Sequence, residues 1–151
     1  RIHVGGDFFS KEYMKAWFIV AEQNPNITFY AYTKSIGYWV AMLNEVPTNF
    51  KMNASLGGSQ DKLVYENNLK KVLVVYSEQE AIDKGLEIDH DDTHAFLKDK
   101  DFALLIHGVQ KQGTKAAAAR NELKKADKGQ YSRVKIKEQM KQGQTKYAKA
   151  A

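Results

Sequence analysis

The sequence contains no cysteine and only two prolines among its 151 residues. Without cysteine, this chain can form no disulfide, no cysteine-ligated zinc site and no iron–sulfur cluster, and it has no thiolate nucleophile. No apolar run approaches the roughly 20 residues that a membrane-spanning helix needs. The composition does include 43% hydrophobic and 11% aromatic residues, which is enough to bury the core of one domain.

An apolar signal segment is also missing from the first residues, since the chain begins at Arg1 with a mixed polar sequence. A secretion signal requires a continuous apolar stretch near the amino terminus. We therefore expect a cytoplasmic protein with no membrane association.

Positive and negative charges are unevenly distributed along the chain. Residues 1–110 contain 11 Lys and Arg against 15 Asp and Glu, whereas residues 111–151, the basic segment, contain 12 against 3. This asymmetry is typical of a nucleic-acid-binding protein, and a solvated helix that keeps the protein soluble is the equal alternative. We divide the chain into a βα-repeat domain at 1–126 and a basic tail at 127–151. The residues expected to contact a nucleic-acid backbone are Lys124, Lys125, Lys128, Arg133, Lys135 and Lys137.

Strand-like and helix-like patterns alternate along the chain. Helices are predicted over 11–23, 36–43, 61–68, 78–84 and 115–125, with Leu63 as the core residue of the third. The alternation predicts an α/β fold, with a mostly parallel sheet of about five βα units. An open doubly wound sheet and an incomplete β/α barrel both fit, and the apolar run at 72–76 is expected to be central. The predicted strands lie at 1–4, 27–32, 50–56, 72–76 and 102–106.

Ionisable and small residues follow the predicted strands, and parallel sheets bind ligands at the carboxyl ends of their strands. His3, Asp7 and His107 are the candidate catalytic residues, because Asp7 could orient His3 or bind a metal with it. The alternative is that Asp7 caps the next helix. Tyr30 and Tyr32 share a strand face and are interpreted as packing residues.

Glycines and one lysine at the same strand ends predict contact with a phosphate or cofactor. Gly57 and Gly58 precede a helix, where backbone N–H groups hold anions well, although an ordinary tight turn is the favoured alternative. The candidate cofactor-binding residues are Gly5, Gly6, Lys34, Ser55, Gly57 and Gly58.

The densest ionisable cluster lies ahead of the last predicted strand. It contains His90, Asp91, Asp92 and His94, and carboxylate and imidazole together suit a divalent metal, the one cofactor that the sequence suggests. The alternative is an acidic loop whose aspartates cap a short helix near residues 93–97.

Four stretches in combination resemble the gene product 88 family of phage proteins. They are RIHVGGDFFSKEYMKAW at 1–17, FYAYTKS at 29–35, LEIDHDDTHAF at 86–96 and FALLIHGVQ at 102–110. The resemblance covers residues 1 to about 120 and leaves out the tail. It implies a phage-encoded protein that acts in the cytoplasm of the infected host cell.

Longer members of that family carry a cysteine-rich segment ahead of the HxxGD motif, which makes them distantly similar to radical-SAM barrels. In such barrels, a Gly-Gly-acidic strand end contacts the amino group of the nucleotide cofactor. By this resemblance, Gly5, Gly6 and Asp7 occupy the matching kind of place. Because this chain has no cysteine to hold a cluster, it resembles a shortened member without radical chemistry of its own.

Three functions fit these observations. The first is a phage accessory protein that binds or acts on nucleic acid, with a metal or phosphate at the strand ends. The second is a binder or enzyme for a small nucleotide-like ligand on a degenerate radical-SAM-like barrel fragment. The third is a non-catalytic protein directed at a host partner, and the sequence alone leaves open whether the chain is an enzyme.

Overall fold

The structure, a computed structural model, describes residues 1–128. Helices and strands alternate along this part of the chain, and none of its helices is long and apolar enough to cross a membrane. The helices are α1 (Lys11–Glu22), α2 (Ile36–Val40), α3 (Asp61–Glu66), α4 (Glu78–Asp83), α5 (Thr93–Phe96) and α6 (Lys115–Lys125). The strands are β1 (Phe29–Thr33), β2 (Phe50–Ser55), β3 (Lys71–Val75), β4 (Glu87–Ile88) and β5 (Phe102–Leu105).

The five strands form one parallel sheet in the order β1-β2-β3-β5-β4. The register of β1 on β2 pairs Phe29 with Phe50 and Thr33 with Ala54. The predicted α/β fold is therefore confirmed, and the apolar strand β3 occupies the predicted central position.

One predicted strand was wrong, and one strand of the sheet was not predicted. The segment at 1–4 contributes one parallel bridge, Ile2 to Ala31, because His3 has a φ of 60° and leaves the extended conformation. The strand that the sequence did not predict is β4, whose two residues are too few to show an apolar alternation.

The chain divides into two compact units. The first contains residues 1–73 and 92–102, and its core lies between α1, α2, α3 and the strands. Met14, Phe18 and Ala21 are buried along one face of α1, with the Phe18 ring edge-on to Phe50 at 5.2 Å. On α3 the predicted core residue Leu63 is only partly buried, and Val64 is buried in its place.

Segment 92–102 is attached to the strands of the first unit by the polar side chains of Asn53 and Lys70. Asn53, in the interior of β2, donates from Nδ2 to the carbonyls of Ala31 at 3.2 Å and Ala95 at 3.1 Å. Lys70 Nζ donates to the carbonyls of His94 at 2.5 Å and Lys98 at 2.6 Å. These donors satisfy carbonyls at the end of α5 that the short helix leaves without partners.

The second unit contains Val74–Asp91 and the chain from Ala103 onward. Ser77 and Thr114 cap its helices α4 and α6, each accepting a backbone N–H on its hydroxyl oxygen. Leu123 is the buried residue of α6. The observed bounds of α6 agree with the predicted helix at 115–125.

Helices α3, α4 and α6 end in the same way. A residue with positive φ follows each helix cap, namely Asn68 at 47°, Gly85 at 66° and Asp127 at 53°. In each case the next N–H bonds the carbonyl five residues earlier at 2.9 to 3.0 Å, which is the Schellman motif. Two of the three positions therefore hold a residue for which the left-handed conformation is costlier than for glycine.

Candidate functional site

The carboxyl ends of β1 and β2 carry a cluster of polar residues in the first unit. We call Asp7, Lys34, Ser55 and Asp61 the strand-end cluster. Three donors converge on Asp7: the Phe8 N–H at 2.7 Å, the Thr33 hydroxyl at 2.6 Å and the Lys34 N–H at 2.6 Å. Asp7 thus connects the amino-terminal segment to the end of β1.

The Lys34 side chain extends from the end of β1 to the end of β2. Its Nζ donates to the carbonyl oxygens of Ser55 at 2.8 Å and Leu56 at 2.6 Å. A Cβ placed on Gly57 would lie 3.7 Å from that Nζ. The structure therefore brings Asp7, Lys34 and Ser55 together, through backbone as well as side-chain groups.

The Gly57–Gly58 turn is the candidate phosphate-binding turn of the sequence. Its N–H groups already bind an anionic side chain of the same chain. They donate to the Asp61 carboxylate, from Gly57 at 2.9 Å and from Gly58 at 3.0 Å. Gly57 has a φ of +93°, which favours glycine there. The geometry matches the alternative given in the sequence analysis, an ordinary tight turn, and the Asp61 carboxylate accepts from the N–H groups that a phosphate would use.

His3 does not hydrogen-bond to Asp7, whose oxygens hold the three donors named above. Its Nε2 lies 3.1 Å from the Tyr13 hydroxyl, and its ring stands edge-on to Phe8 at 4.7 Å. Gly5 and Gly6 are exposed, and a Cβ on either would meet nothing within 4 Å. The assignment of Gly5 and Gly6 to cofactor binding stays a prediction.

His107, the third candidate catalytic residue, lies in the second unit. Its Nδ1 is 2.9 Å from the Leu105 carbonyl, and Gln110 donates to the His107 carbonyl at 2.6 Å. These contacts fix the loop after β5. The catalytic assignment of His3, Asp7 and His107 stays a prediction.

The four predicted metal ligands make contacts with other partners. His94 is buried, with Nε2 3.1 Å from Lys98 Nζ, and the Asp91 N–H donates to Asp89 at 3.2 Å. In residues 1–128, no three histidine or acidic side chains are grouped to hold an ion, and the assignment of His90, Asp91, Asp92 and His94 to a metal stays a prediction.

Asp92 is the acceptor of a cluster that sequence reasoning missed. The Tyr30 and Tyr32 hydroxyls donate to its two carboxylate oxygens at 2.9 Å each, and Arg1 lies 3.3 Å from one of them. The signal was the spacing of the two tyrosines, which places both on one face of β1. Their hydroxyls, and not only their rings, hold the loop before α5, where Asp92 has a φ of 64°.

The described part of the basic segment presents its lysines to solvent. Lys124 and Lys125 lie exposed in the last turn of α6, where cations are favoured by the helix dipole. Lys128 is exposed and forms an ion pair with Glu78 at 3.0 Å. The predicted contacts Arg133, Lys135 and Lys137 lie outside the described residues, as does most of the predicted tail.

An exposed ion pair in the first unit shifts two pKa values. Lys15 Nζ lies 2.8 Å from Glu45 Oε2. The hydrogen bond from Lys15 lowers the pKa of Glu45, and the same bond raises the pKa of Lys15. On α1, the backbone N–H of Glu12 and the Ser10 hydroxyl both hydrogen-bond to the Glu12 carboxylate and lower its pKa.

Comparison with known proteins gives one family. A family model described as gene product 88 matches residues 1–129. A segment of 34 residues is 53% identical to the Gene 88 protein of Mycobacterium phage L5, over 22% of this chain and 14% of that relative. No solved structure matches. Since the family model covers most of the chain, the chain belongs to the gene product 88 family.

Proposed function

We propose that this chain is a phage accessory protein that binds the nucleic-acid backbone through the basic segment, in the cytoplasm of the infected host cell. The observation that carries the proposal is the concentration of charge: residues 111–151 have 12 Lys and Arg against 3 Asp and Glu. Phosphate contacts from lysine and arginine supply most of the affinity in sequence-independent binding.

The geometry of α6 supports this proposal. Leu123 anchors the helix through a buried side chain, while Lys124 and Lys125 beside it are exposed. Lys111 and Lys115 are exposed near its amino end. A helix held by one face can therefore offer ammonium groups at both ends to a phosphate backbone without unfolding.

The strand-end cluster is left out of the binding surface. Lys34 uses two of its three donors on backbone carbonyls, and Asp7 and Asp61 add negative charge beside it. A phosphate approaching this cluster would meet two carboxylates and displace existing hydrogen bonds. This balance favours the basic segment as the site of contact.

The test is a titration of the full chain with fluorescent duplex DNA and single-stranded RNA between 50 and 200 mM salt. Each neutralised phosphate contributes about −0.9 to the log–log slope on duplex DNA, so five contacts lower the affinity more than ~100-fold over this range. A chain ending at Lys128, which keeps the end of α6, should lose most of the affinity and keep its melting temperature.

A double substitution of two lysines far from the basic segment along the chain, Lys62→Gln with Lys84→Gln, serves as the control for a simple loss of charge. It should leave binding nearly unchanged. Absence of binding by the full chain at 50 mM salt, or equal binding by the shortened chain, would overturn the proposal.

A further inference from the structure

A cavity of about 390 Å³ lies in the first unit where β2 begins and just ahead of β3. Its buried apolar walls come from Trp39, Phe50, Met52 and Leu69, with the half-buried Phe96 beside them. The volume is at the lower end of the range of about 300 to 1,000 Å³ that holds small ligands. It fits one small organic molecule.

Apolar side chains continue to the mouth of this cavity. Leu97 is 72% exposed and Leu43 is 39% exposed, although both line the cavity. Covering apolar surface of this kind contributes about 25 cal/mol for each Å² removed from water. The cavity therefore favours a ligand with an apolar body.

The charges around the cavity are predominantly positive. Lys51, Lys70 and Lys98 line it together with one acidic residue, Asp99. The Lys70 ammonium is fixed in the wall by the carbonyls of His94 and Lys98, so its charge cannot move away. A neutral apolar ligand would gain nothing from these groups, whereas an anionic one would.

The exposed Lys51 is the group best placed to adjust to a ligand. It is the second residue of β2, next to the buried Phe50, and its Nζ donates to the Thr48 carbonyl at 2.8 Å. An ammonium carries three donors, so this bond leaves capacity for a second acceptor.

We propose that this cavity binds a small organic anion with an apolar body and one acidic group, a carboxylate or a sulfonate. The apolar walls would hold the body, and Lys51 and Lys98 would meet the acidic group at the mouth. This site is separate in sequence and in chemistry from the basic segment, and it adds a small-molecule ligand to the proposed nucleic-acid binding.

The test uses 4-nitrobenzoate as the probe, because nitroaromatic rings quench tryptophan emission on contact. In the full chain carrying Trp17→Phe, Trp39 is the remaining indole, since the sequence has two tryptophans. We expect saturable quenching by 4-nitrobenzoate. The neutral analogue 4-nitrobenzyl alcohol should bind at least about 3-fold more weakly, because it lacks a charge-assisted contact.

Lys51→Gln should weaken 4-nitrobenzoate about 3- to 10-fold and leave the neutral analogue unchanged. Lys62→Gln, an equal change of charge at an exposed position of α3, should have no effect. Both variants replace exposed side chains, and circular dichroism checks that they remain folded. Absence of saturable quenching, equal binding of the two probes, or equal effects of the two variants would overturn the proposal, whatever the result with DNA.

Discussion

Charged groups are used in opposite ways at the carboxyl ends of β1 and β2 and along α6. In the strand-end cluster, Asp7 and Asp61 accept from neighbouring N–H and hydroxyl groups, and Lys34 donates to carbonyls. Along α6, Lys124 and Lys125 face solvent. Both regions looked functional in the sequence because both concentrate ionisable residues. The strand-end groups have their hydrogen-bond partners within the fold, whereas the lysines at the end of α6 are exposed, and only the latter enter the proposed nucleic-acid binding.

The largest effect should come from removing Asp7. Asp7→Ala leaves the nearly inaccessible Thr33 hydroxyl and two N–H groups without their acceptor, so we expect the free energy of unfolding to fall by about 2 to 4 kcal/mol. Denaturant titration measures this, with Asp99→Ala at an exposed position as the control. A loss below about 0.5 kcal/mol, the range of ordinary surface substitutions, would contradict a structural role for the cluster.

The next effect concerns α6. Lys124→Gln with Lys125→Gln should reduce the slope of log affinity against log salt by about 1.8 if each lysine neutralises one phosphate. The fold should be kept with only a slightly lower melting temperature, because both side chains are exposed and lose only their favourable interaction with the helix dipole. If this variant unfolds more easily and keeps its affinity for DNA, the lysines of α6 are structural, as the strand-end cluster is, and do not bind the phosphate backbone.

A smaller gain is expected at the end of α6. Asp127 follows the helix cap with a φ of 53°, so Asp127→Gly should stabilise the protein by about 0.5 to 1 kcal/mol. Asp127→Asn removes the same charge and keeps a side chain, which separates the backbone effect from the electrostatic one. Equal melting temperatures for the two variants would show that charge alone matters there.

The smallest effect concerns the exposed Lys15–Glu45 pair. Because Lys15 lowers the pKa of Glu45, the pair stabilises the fold above the ordinary pKa of glutamate, and this contribution is lost as the pH falls through the lowered value. Glu45→Gln should therefore flatten the fall in melting temperature between neutral and acidic pH. Parallel curves for the two proteins would mean that the pair contributes nothing measurable.

Much of the fold was predictable because its signals are local. The apolar run at 72–76 predicted the central strand, observed as Lys71–Val75, and the alanine-rich stretch predicted α6 with its observed bounds. Each pattern depends on residues that are near in sequence and need no knowledge of the rest of the chain.

The candidate site was less predictable because it depends on which distant groups meet. The pairing of Tyr30 and Tyr32 with Asp92 joins residues about sixty positions apart, and no local pattern reports it. The acidic loop offered carboxylates that suit a metal, but the position of Asp92 next to β1 gives its oxygens to hydroxyl donors. Composition could show which groups were present and not which partners they would take.

The carboxylate of Asp61 acts on the Gly57–Gly58 turn as a tethered competitor. Its chain connection to the turn is only a few residues long, which corresponds to an effective concentration of about millimolar or higher. A free phosphate that binds the two N–H groups as strongly as the carboxylate would have to exceed that concentration to displace Asp61 from them. The turn therefore carries its own anion. Without the Asp61 carboxylate, the same two N–H groups would be available to anions from solution.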